Sequence, residues 1–348
     1  MDFLRANMAL SSFVIIGIVL CVTQPITIIA NLLTIIAFMK VPSLQTHTSN
    51  LLIFALSIAD FISGVYHLWY DAIPLAFGLK PPFGEIGCMM TVPLEYFYTT
   101  GNFLLVAISI DRVLLVSMDY SKYVKIVTKS RLKLTMGICL LICQIPTVLV
   151  LSLWNYAKKN NANAASIDFE ETCLYPIDRI KSFSVYQVVC FFYLPLCLVG
   201  IFSIIFIKRL LIRIHSNRRV IPENRIPDNN VRSAGENQDE IAHPTASEET
   251  TQDHKATIKK RYIKPALTLI ALVSAMGISM VPYNTYCIVE VVTGTLNANV
   301  SYAMYFTLQL NPLLDPLFFA ATQKGIREFY GSKIRAMSRT FAAFRNPN

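Results

Sequence analysis

An acid and a base stand side by side in the apolar run "GNFLLVAISIDRVLLVS" (residues 101–117), as Asp111 and Arg112. In a soluble core such a pair loses hydration that its mutual attraction often fails to offset. In a membrane the loss is larger, unless the pair lies at an interface or faces a polar interior. These two residues are therefore the first candidates for a function.

Charged residues are few in this chain and unevenly placed. Of the 348 residues 54% are hydrophobic and 15% are charged, whereas soluble domains carry about 25% charged residues. Seven segments hold at most one charge each, and each is about 20 residues long or longer, the length that a helix needs to cross a bilayer core. Four have no charge (9–39, 134–154, 182–207 and 266–289), and three have one acid (50–70 with Asp60, 88–110 with Glu95 and 300–322 with Asp315).

The segments predict an all-α membrane protein, a seven-transmembrane helix bundle, because buried helices of a soluble protein would show amphipathic striping. The bundle domain covers 1–321, and a polar segment poor in aromatic residues, 215–254, is predicted to be a disordered third cytoplasmic loop. Residues 322–348 form the tail, which begins with a C-terminal amphipathic helix at the interface with membrane lipids. The spans are predicted at about 10–39, 48–72, 86–114, 132–155, 182–210, 260–290 and 300–321.

Basic residues indicate the orientation of the chain. The Lys and Arg excess falls in alternate connecting segments, for example at Lys122, Lys208 and Lys259, and in the tail. Positive residues stay on the cytoplasmic side, so we expect a multi-pass protein of the plasma membrane with an extracellular N-terminus and a cytoplasmic C-terminus. The net charge of +9 is then a signal of topology, and we expect no nucleic-acid partner.

Six of the eight cysteines fall inside the predicted spans, and the other two are Cys88, at the outer start of the third span, and Cys173, in the second outer loop. Cys88 and Cys173 both fall on the extracellular side, where the environment is oxidising. We predict that they form a disulfide bond.

Polar residues and prolines follow one another in a defined order along the spans. They are Asn31 in "IIANLLTII", Asp60 in "LSIAD", Cys88, Asp111-Arg112, Pro195 in "FFYLP", Pro282 in "VPYN" and Asp315-Pro316 in "NPLLDPLFF". In this order the motifs resemble the rhodopsin-like (class A) G-protein-coupled receptors, over essentially the whole chain outside the third inner loop. "FYLP" and "VPYN" are most similar to amine receptors of the muscarinic and histamine type.

The resemblance implies a receptor that transmits the binding of a small extracellular ligand, such as a cationic biogenic amine or an acetylcholine-like molecule, to a heterotrimeric G protein. In the family Asp111 would hold Arg112 inward until activation, when the arginine meets the G protein. Asp60, Asn311 and Asp315 match the family's sodium and water cluster, so an allosteric Na⁺ is the one cofactor-like ligand expected. Two neighbouring carboxylates favour a bound cation or a shared proton.

Two ways of aligning the third span with the family place different residues at the position that pairs with the ligand. Amine receptors pair the ligand's ammonium group with an acid on the third helix. Counting from Cys88, Glu95 falls at that position, but counting back from Arg112 it is Leu94. One residue turns a helix by 100°, so Glu95 lies in the pocket or beside it. A ligand-pairing role, an internal partner such as a tyrosine or His67, and an interfacial position all remain open.

Three further residues match pocket positions of muscarinic receptors: Tyr283, Asn284 and Tyr305. An aromatic lining suits a cation, although ordinary packing between helices would also explain these residues. The chain departs from the family at several positions that serve as activation switches: Ser203, Met276, Met280 and Phe319.

Other classes of function fit the sequence less well. A class A receptor for a peptide, lipid or odorant is the first alternative. A transporter or channel would need paired charges or broken helices at mid-membrane in related positions, and only Asp60 and Asp315 come close. No span carries a catalytic set of residues, so we do not expect an enzyme.

Overall fold

The computed structural model of the chain describes residues 2–46, 48–80, 83–160, 181–219, 264–294 and 298–345. In these ranges six helices are long and apolar enough to cross a membrane, and we refer to them in chain order as the first to sixth spans. They are Val14–Lys40, Asn50–Phe77, Ile86–Ser117, Lys129–Ser152, Val185–His215 and Ala266–Thr293. The all-α membrane fold predicted from the sequence is confirmed.

Several of these helices continue beyond the apolar part. The helix of the first span runs over Asp2–Lys40, that of the third over Gly84–Ser117 and that of the fourth over Lys129–Asn160. The sixth span lies within helix Lys264–Thr293. Two short helices, Pro42–Gln45 and Tyr120–Ile126, follow the first and third spans.

The second and fifth spans each contain one π-helical turn. In the second span, helix Asn50–His67 is followed by the π turn Leu68–Ala72 and by helix Ile73–Phe77. In the fifth, helices Lys181–Val188 and Leu194–Arg219 flank the π turn Val189–Tyr193. A π turn inserts an extra residue, which rotates the side chains that follow, and such turns are frequent at functional sites.

The seventh span is broken. Its two helices are Ala298–Leu308 and Asn311–Thr322, joined by a turn at Gln309 and Leu310. Pro312 lies in the first turn of the second helix, where a proline is tolerated because that backbone N–H has no partner within the helix. The sequence predicts one continuous helix over 300–321, and the break is a finding of the structure.

The third span forms the centre of the bundle. It is 72% buried over its most apolar stretch, against 28% for the first span and 22% for the fifth. Core side chains such as Leu105, Phe206 and Leu272 are almost fully enclosed, while large apolar residues on the outer spans are exposed, as in any protein whose surface faces lipid. The residues that replace family switches on the sixth and seventh spans, Met276, Met280 and Phe319, are all buried in this core.

The C-terminal amphipathic helix is confirmed as Lys324–Arg345. Ile326 in its first turn is fully buried, whereas Ile334 and Met337 are exposed. The Tyr330 hydroxyl donates to the Ala30 carbonyl oxygen at 2.6 Å, which ties this helix to the first span. Burial raises the pKa of Tyr330, so the phenol keeps its proton and remains a donor.

The domain boundaries set by the sequence stay predictions. Helix Leu194–Arg219 extends into the segment 215–254, and the rest of that segment lies outside the described residues.

The first span packs closely against the second at Gly17. A Cβ atom at this glycine would lie 2.3 Å from the Ala76 nitrogen and 2.7 Å from the Leu75 carbonyl carbon, which are backbone atoms. We expect Gly17→Ala to push the two spans apart, at the cost of about 1–3 kcal/mol that overpacking typically brings. The midpoint of thermal unfolding in detergent should fall. Gly137→Ala is the matched control, because no atom lies within 4 Å of its added Cβ; equal midpoints for the two variants would contradict the packing.

Candidate functional site

Asp111 and Arg112 are both buried near the end of the third span, 3% and 7% exposed. Arg112 Nη1 lies 3.5 Å from Asp111 Oδ2, and the other oxygen, Oδ1, accepts a 2.7 Å hydrogen bond from the Tyr123 hydroxyl. That hydroxyl also lies 2.6 Å from the hydroxyl of Ser49. The acid therefore holds the arginine on one side and a tyrosine on the other.

Sequence reasoning missed Tyr123 and Ser49. Tyr123 is buried in the short helix Tyr120–Ile126, and Ser49 immediately precedes the second span. Burial, and then the negative charge of Asp111, raise the pKa of Tyr123 well above its ordinary value, so the phenol stays protonated and donates to the carboxylate. The only signal in the sequence was an aromatic residue in a basic connecting segment.

Arg213 of the fifth span binds the end of the third. Its Nη1 donates to the carbonyl oxygens of Val116 and Met118, at 2.9 and 3.1 Å, and so satisfies carbonyls that a helix C-terminus leaves without partners. An open recess of about 470 Å³ lies here, lined in part by Lys122 and Arg209. We refer to this side of the bundle as the Arg112 end and to the opposite side as the Cys88 end.

The predicted cation site lies deeper in the bundle. Asp60, Asn311 and Asp315 are buried, with Asp315 fully enclosed, and the two carboxylates are close enough to interact electrostatically. Asp60 Oδ2 and both Asp315 oxygens have no hydrogen-bond partner within the described part of the chain. Orphaned carboxylate oxygens of this kind suit a small hard cation, whose preferred ligands are oxygens.

The residues described by the structure contain no cluster of three His, Cys, Asp or Glu side chains that could hold a metal ion. A cation at Asp60 and Asp315 would therefore take its other ligands from neutral groups or water. Asn311 lies on the same helix face as Asp315, four residues before it, but its Oδ1 faces the Ser279 hydroxyl at 3.5 Å.

Two of the three predicted pocket residues on the sixth and seventh spans lie together. The rings of Tyr283 and Tyr305 are 5.6 Å apart in an edge-to-face arrangement. Asn284 instead donates to the Met280 carbonyl oxygen of its own helix at 2.8 Å, and its Oδ1 is buried with no hydrogen-bond partner within the described part of the chain.

Tyr305 binds an acid, Asp71, that the sequence analysis did not single out. Its hydroxyl donates to Asp71 Oδ2 at 2.5 Å, and His67 Nδ1 lies 2.5 Å from the same oxygen. Gln309, at the break in the seventh span, places its Nε2 3.2 Å from His67 Nδ1. We refer to Asp71, His67, Tyr305 and Gln309 as the Asp71 cluster, which lies toward the Cys88 end.

Glu95 is half-buried on the third span. Its neighbours along the helix face different partners: Tyr98 donates to the Leu308 carbonyl oxygen of the seventh span, whereas Tyr96 bonds to Gln187 of the fifth. Glu95 lies between these two directions, and its pairing with a ligand stays a prediction.

Cys88 forms a disulfide bond. Its predicted partner, Cys173, lies outside the described residues, so their pairing stays a prediction too.

The Tyr123 bond gives a test of the Arg112 end. Tyr123→Phe leaves Asp111 Oδ1 buried without its donor, and an unsatisfied buried acceptor costs about 1–3 kcal/mol, so the unfolding midpoint should fall. Ser49→Ala is the matched comparison, since it removes the other hydroxyl and keeps the bond to Asp111. A drop as large for Ser49→Ala as for Tyr123→Phe would show that the bond to Asp111 is not the important one.

Comparison with known proteins places this arrangement in a family. Residues 30–319 match the family model described as "7 transmembrane receptor (rhodopsin family)". The chain is also 33% identical over 105 residues to the "Muscarinic acetylcholine receptor DM1" of Drosophila melanogaster, a match that covers 30% of this chain and 13% of that receptor. With more than half of its length matched, and with the buried Asp111-Arg112 pair at the end of its third span, the chain belongs to the rhodopsin family of seven-transmembrane receptors.

Proposed function

We propose that the chain is a plasma-membrane receptor for a small cationic ligand, a biogenic amine or an acetylcholine-like molecule, that acts on a heterotrimeric G protein. The Cys88 end would face outside, with the N-terminus, and the Arg112 end and the C-terminus would face the cytoplasm. The excess of Lys and Arg in the segments at the Arg112 end supports this orientation.

One observation carries the choice of a cationic ligand: two tyrosine rings and a carboxylate lie in contact at the Cys88 end. Tyr283 packs against Tyr305, whose hydroxyl binds Asp71. Aromatic faces and a carboxylate together attract an ammonium group. The name of the muscarinic relative, an acetylcholine receptor, points in the same direction. Glu95 and Asn284 would complete the lining.

At the other end, Arg112 is proposed to contact the G protein once it leaves Asp111. The hydrogen bond from Tyr123 to Asp111 would limit the cost of this release, because it would leave the carboxylate with one donor.

The test is G-protein activation in cells exposed to a panel of biogenic amines and acetylcholine. We expect at least one compound to activate the wild-type receptor, and Arg112→Ala to abolish that response at equal surface expression because it removes the group that meets the G protein. If no compound acts, yet Arg112→Ala changes basal signalling, the chain is a receptor for another class of ligand.

We also propose that Na⁺ binds at Asp60 and Asp315, with Asn311 close by. The unpartnered carboxylate oxygens in this buried site support the proposal, since an anionic pair without donors is costly inside a membrane.

Sodium should therefore stabilise the folded receptor. A ligand at ten times its dissociation constant adds about 1.4 kcal/mol, so the unfolding midpoint should rise in NaCl relative to KCl at equal ionic strength. Asp60→Asn should remove this difference, while Glu95→Gln, which neutralises an acid elsewhere, should retain it. Equal midpoints in the two salts for the wild type would exclude the site.

A further inference from the structure

We propose that Asp71, on the second span, is the counter-ion of the ligand's ammonium group, in a subsite formed by the Asp71 cluster and Tyr283. This inference rests on the proposed function and names the group at which the cation binds. It differs from the third-span position at which amine receptors carry this acid, since Tyr305 of the seventh span contacts Asp71 and His67 of the second span.

The carboxylate of Asp71 carries an accessible negative charge. Its side chain is 25% exposed, and both of its hydrogen bonds, from Tyr305 and His67, go to Oδ2. In the described ranges no Lys or Arg lies within 4.0 Å of it, and its only ion-pair neighbour is His67. Oδ1 is therefore available to an incoming donor.

His67 provides a second and independent sign of a missing partner. Its Nδ1 lies 2.5 Å from Asp71 Oδ2, while its Nε2 is buried and without a hydrogen-bond partner in the part of the chain that the structure describes. A neutral imidazole that donates from Nδ1 has an acceptor at Nε2. Burying this acceptor unpaired is costly, so a donor that the described residues do not supply, such as water or an N–H of the ligand, is expected there.

One aromatic side chain, Tyr305, binds the acid directly, and further aromatic rings pack near it. The ring of Tyr66 lies 4.7 Å from that of His67 and stacks on that of Tyr70 at 5.5 Å, next to Asp71 in the chain. The seventh and sixth spans add the rings of Tyr305 and Tyr283, which pack against each other. Because the faces of aromatic rings attract cations, these rings favour a protonated amine or quaternary ammonium over a neutral ligand.

The backbone explains why an acid near the end of an apolar segment reaches this position. Asp71 belongs to the π turn Leu68–Ala72, whose extra residue changes the direction of the side chains that follow. His67 in turn contacts Gln309 at the break of the seventh span. A cation at Asp71 would thus bind next to the one place where this span departs from a continuous helix.

The experiment compares two variants, Asp71→Asn and Glu95→Gln, each of which replaces a carboxylate with an uncharged amide of nearly the same size. With an amine that activates the wild type, Asp71→Asn should raise the half-maximal concentration by about 10- to 100-fold, the loss expected for a hydrogen bond to a charged group. Glu95→Gln removes a lining group and not the counter-ion, so it should raise that concentration clearly less than Asp71→Asn does. The opposite pattern would place the counter-ion on the third span and overturn the inference, while leaving the proposed function intact.

Two further measurements keep the test decisive. If Asp71→Asn does not reach the cell surface, His67→Lys places a permanent cation beside an unchanged Asp71 and should give the same loss; an unchanged response would refute the subsite. If no amine activates the wild type, the proposed function fails, and thermal unfolding then tests the subsite by itself. Tetramethylammonium chloride should stabilise the wild type more than it stabilises Asp71→Asn, and an equal effect on both would overturn the inference.

Discussion

The seventh span can break inside the bundle only because side chains of other spans bind the backbone groups that the break exposes, since lipid offers them no partners. Tyr98 of the third span donates to the Leu308 carbonyl oxygen, just before the break. Asn31 of the first span donates at 2.9 Å to the Pro312 carbonyl oxygen just after it, which has no helical donor because residue 316 is a proline. Three spans thus meet at one interruption, and their relative positions are fixed by its hydrogen-bonding needs.

The break also connects two acidic sites that would otherwise be separate. On its Cys88 side, Gln309 contacts His67 of the Asp71 cluster, and on its other side the helix that begins at Asn311 carries Asp315. Along the second span, Asp60, Ser63 and His67 follow one face of the helix over about 10 Å. Each of these three has a buried polar atom without a partner in the described residues. This row of buried polar atoms lies between the Asp71 cluster and the pair Asp60 and Asp315, the two sites at which cations are proposed to bind.

The sequence alone predicted those features that follow from a pattern within one continuous segment. The apolar segments and the C-terminal amphipathic helix follow from charge placement and periodicity. The structure contains six of the segments as long apolar helices, the seventh as two shorter ones, and the tail helix. The Asp111-Arg112 pair, noticed for its place in an apolar run, is buried. The break at Gln309 was missed because 300–322 has a single charge and no glycine to mark an interruption, and Pro312 alone was not taken as one. What stabilises the break lies on other spans, and their contacts cannot be derived from one segment.

Asp71 was missed for a related reason. It lies at the end of the span predicted at 48–72, immediately after the charge-poor segment 50–70, where an acid is readily explained as a solvated charge at the membrane surface. Only the π turn and the partners from the seventh span make it part of the interior. The same holds for Tyr123, whose importance comes from a contact with Asp111 that its basic surroundings in the sequence do not suggest.

Arg112 makes one ion-pair contact within the described residues, with Asp111. Within the described sixth span, residues 264–294, the only acid is Glu290, near the Cys88 end, so this stretch offers no second carboxylate to Arg112. The remaining attraction is a 3.5 Å contact with Asp111 Oδ2, an atom that makes no hydrogen bond in the described part of the chain. Asp111 meanwhile has a shorter bond to Tyr123 on its other oxygen. If Arg112 leaves this position on activation, as proposed, Asp111 would still have Tyr123 as a donor, so the cost of release would be mainly one electrostatic interaction.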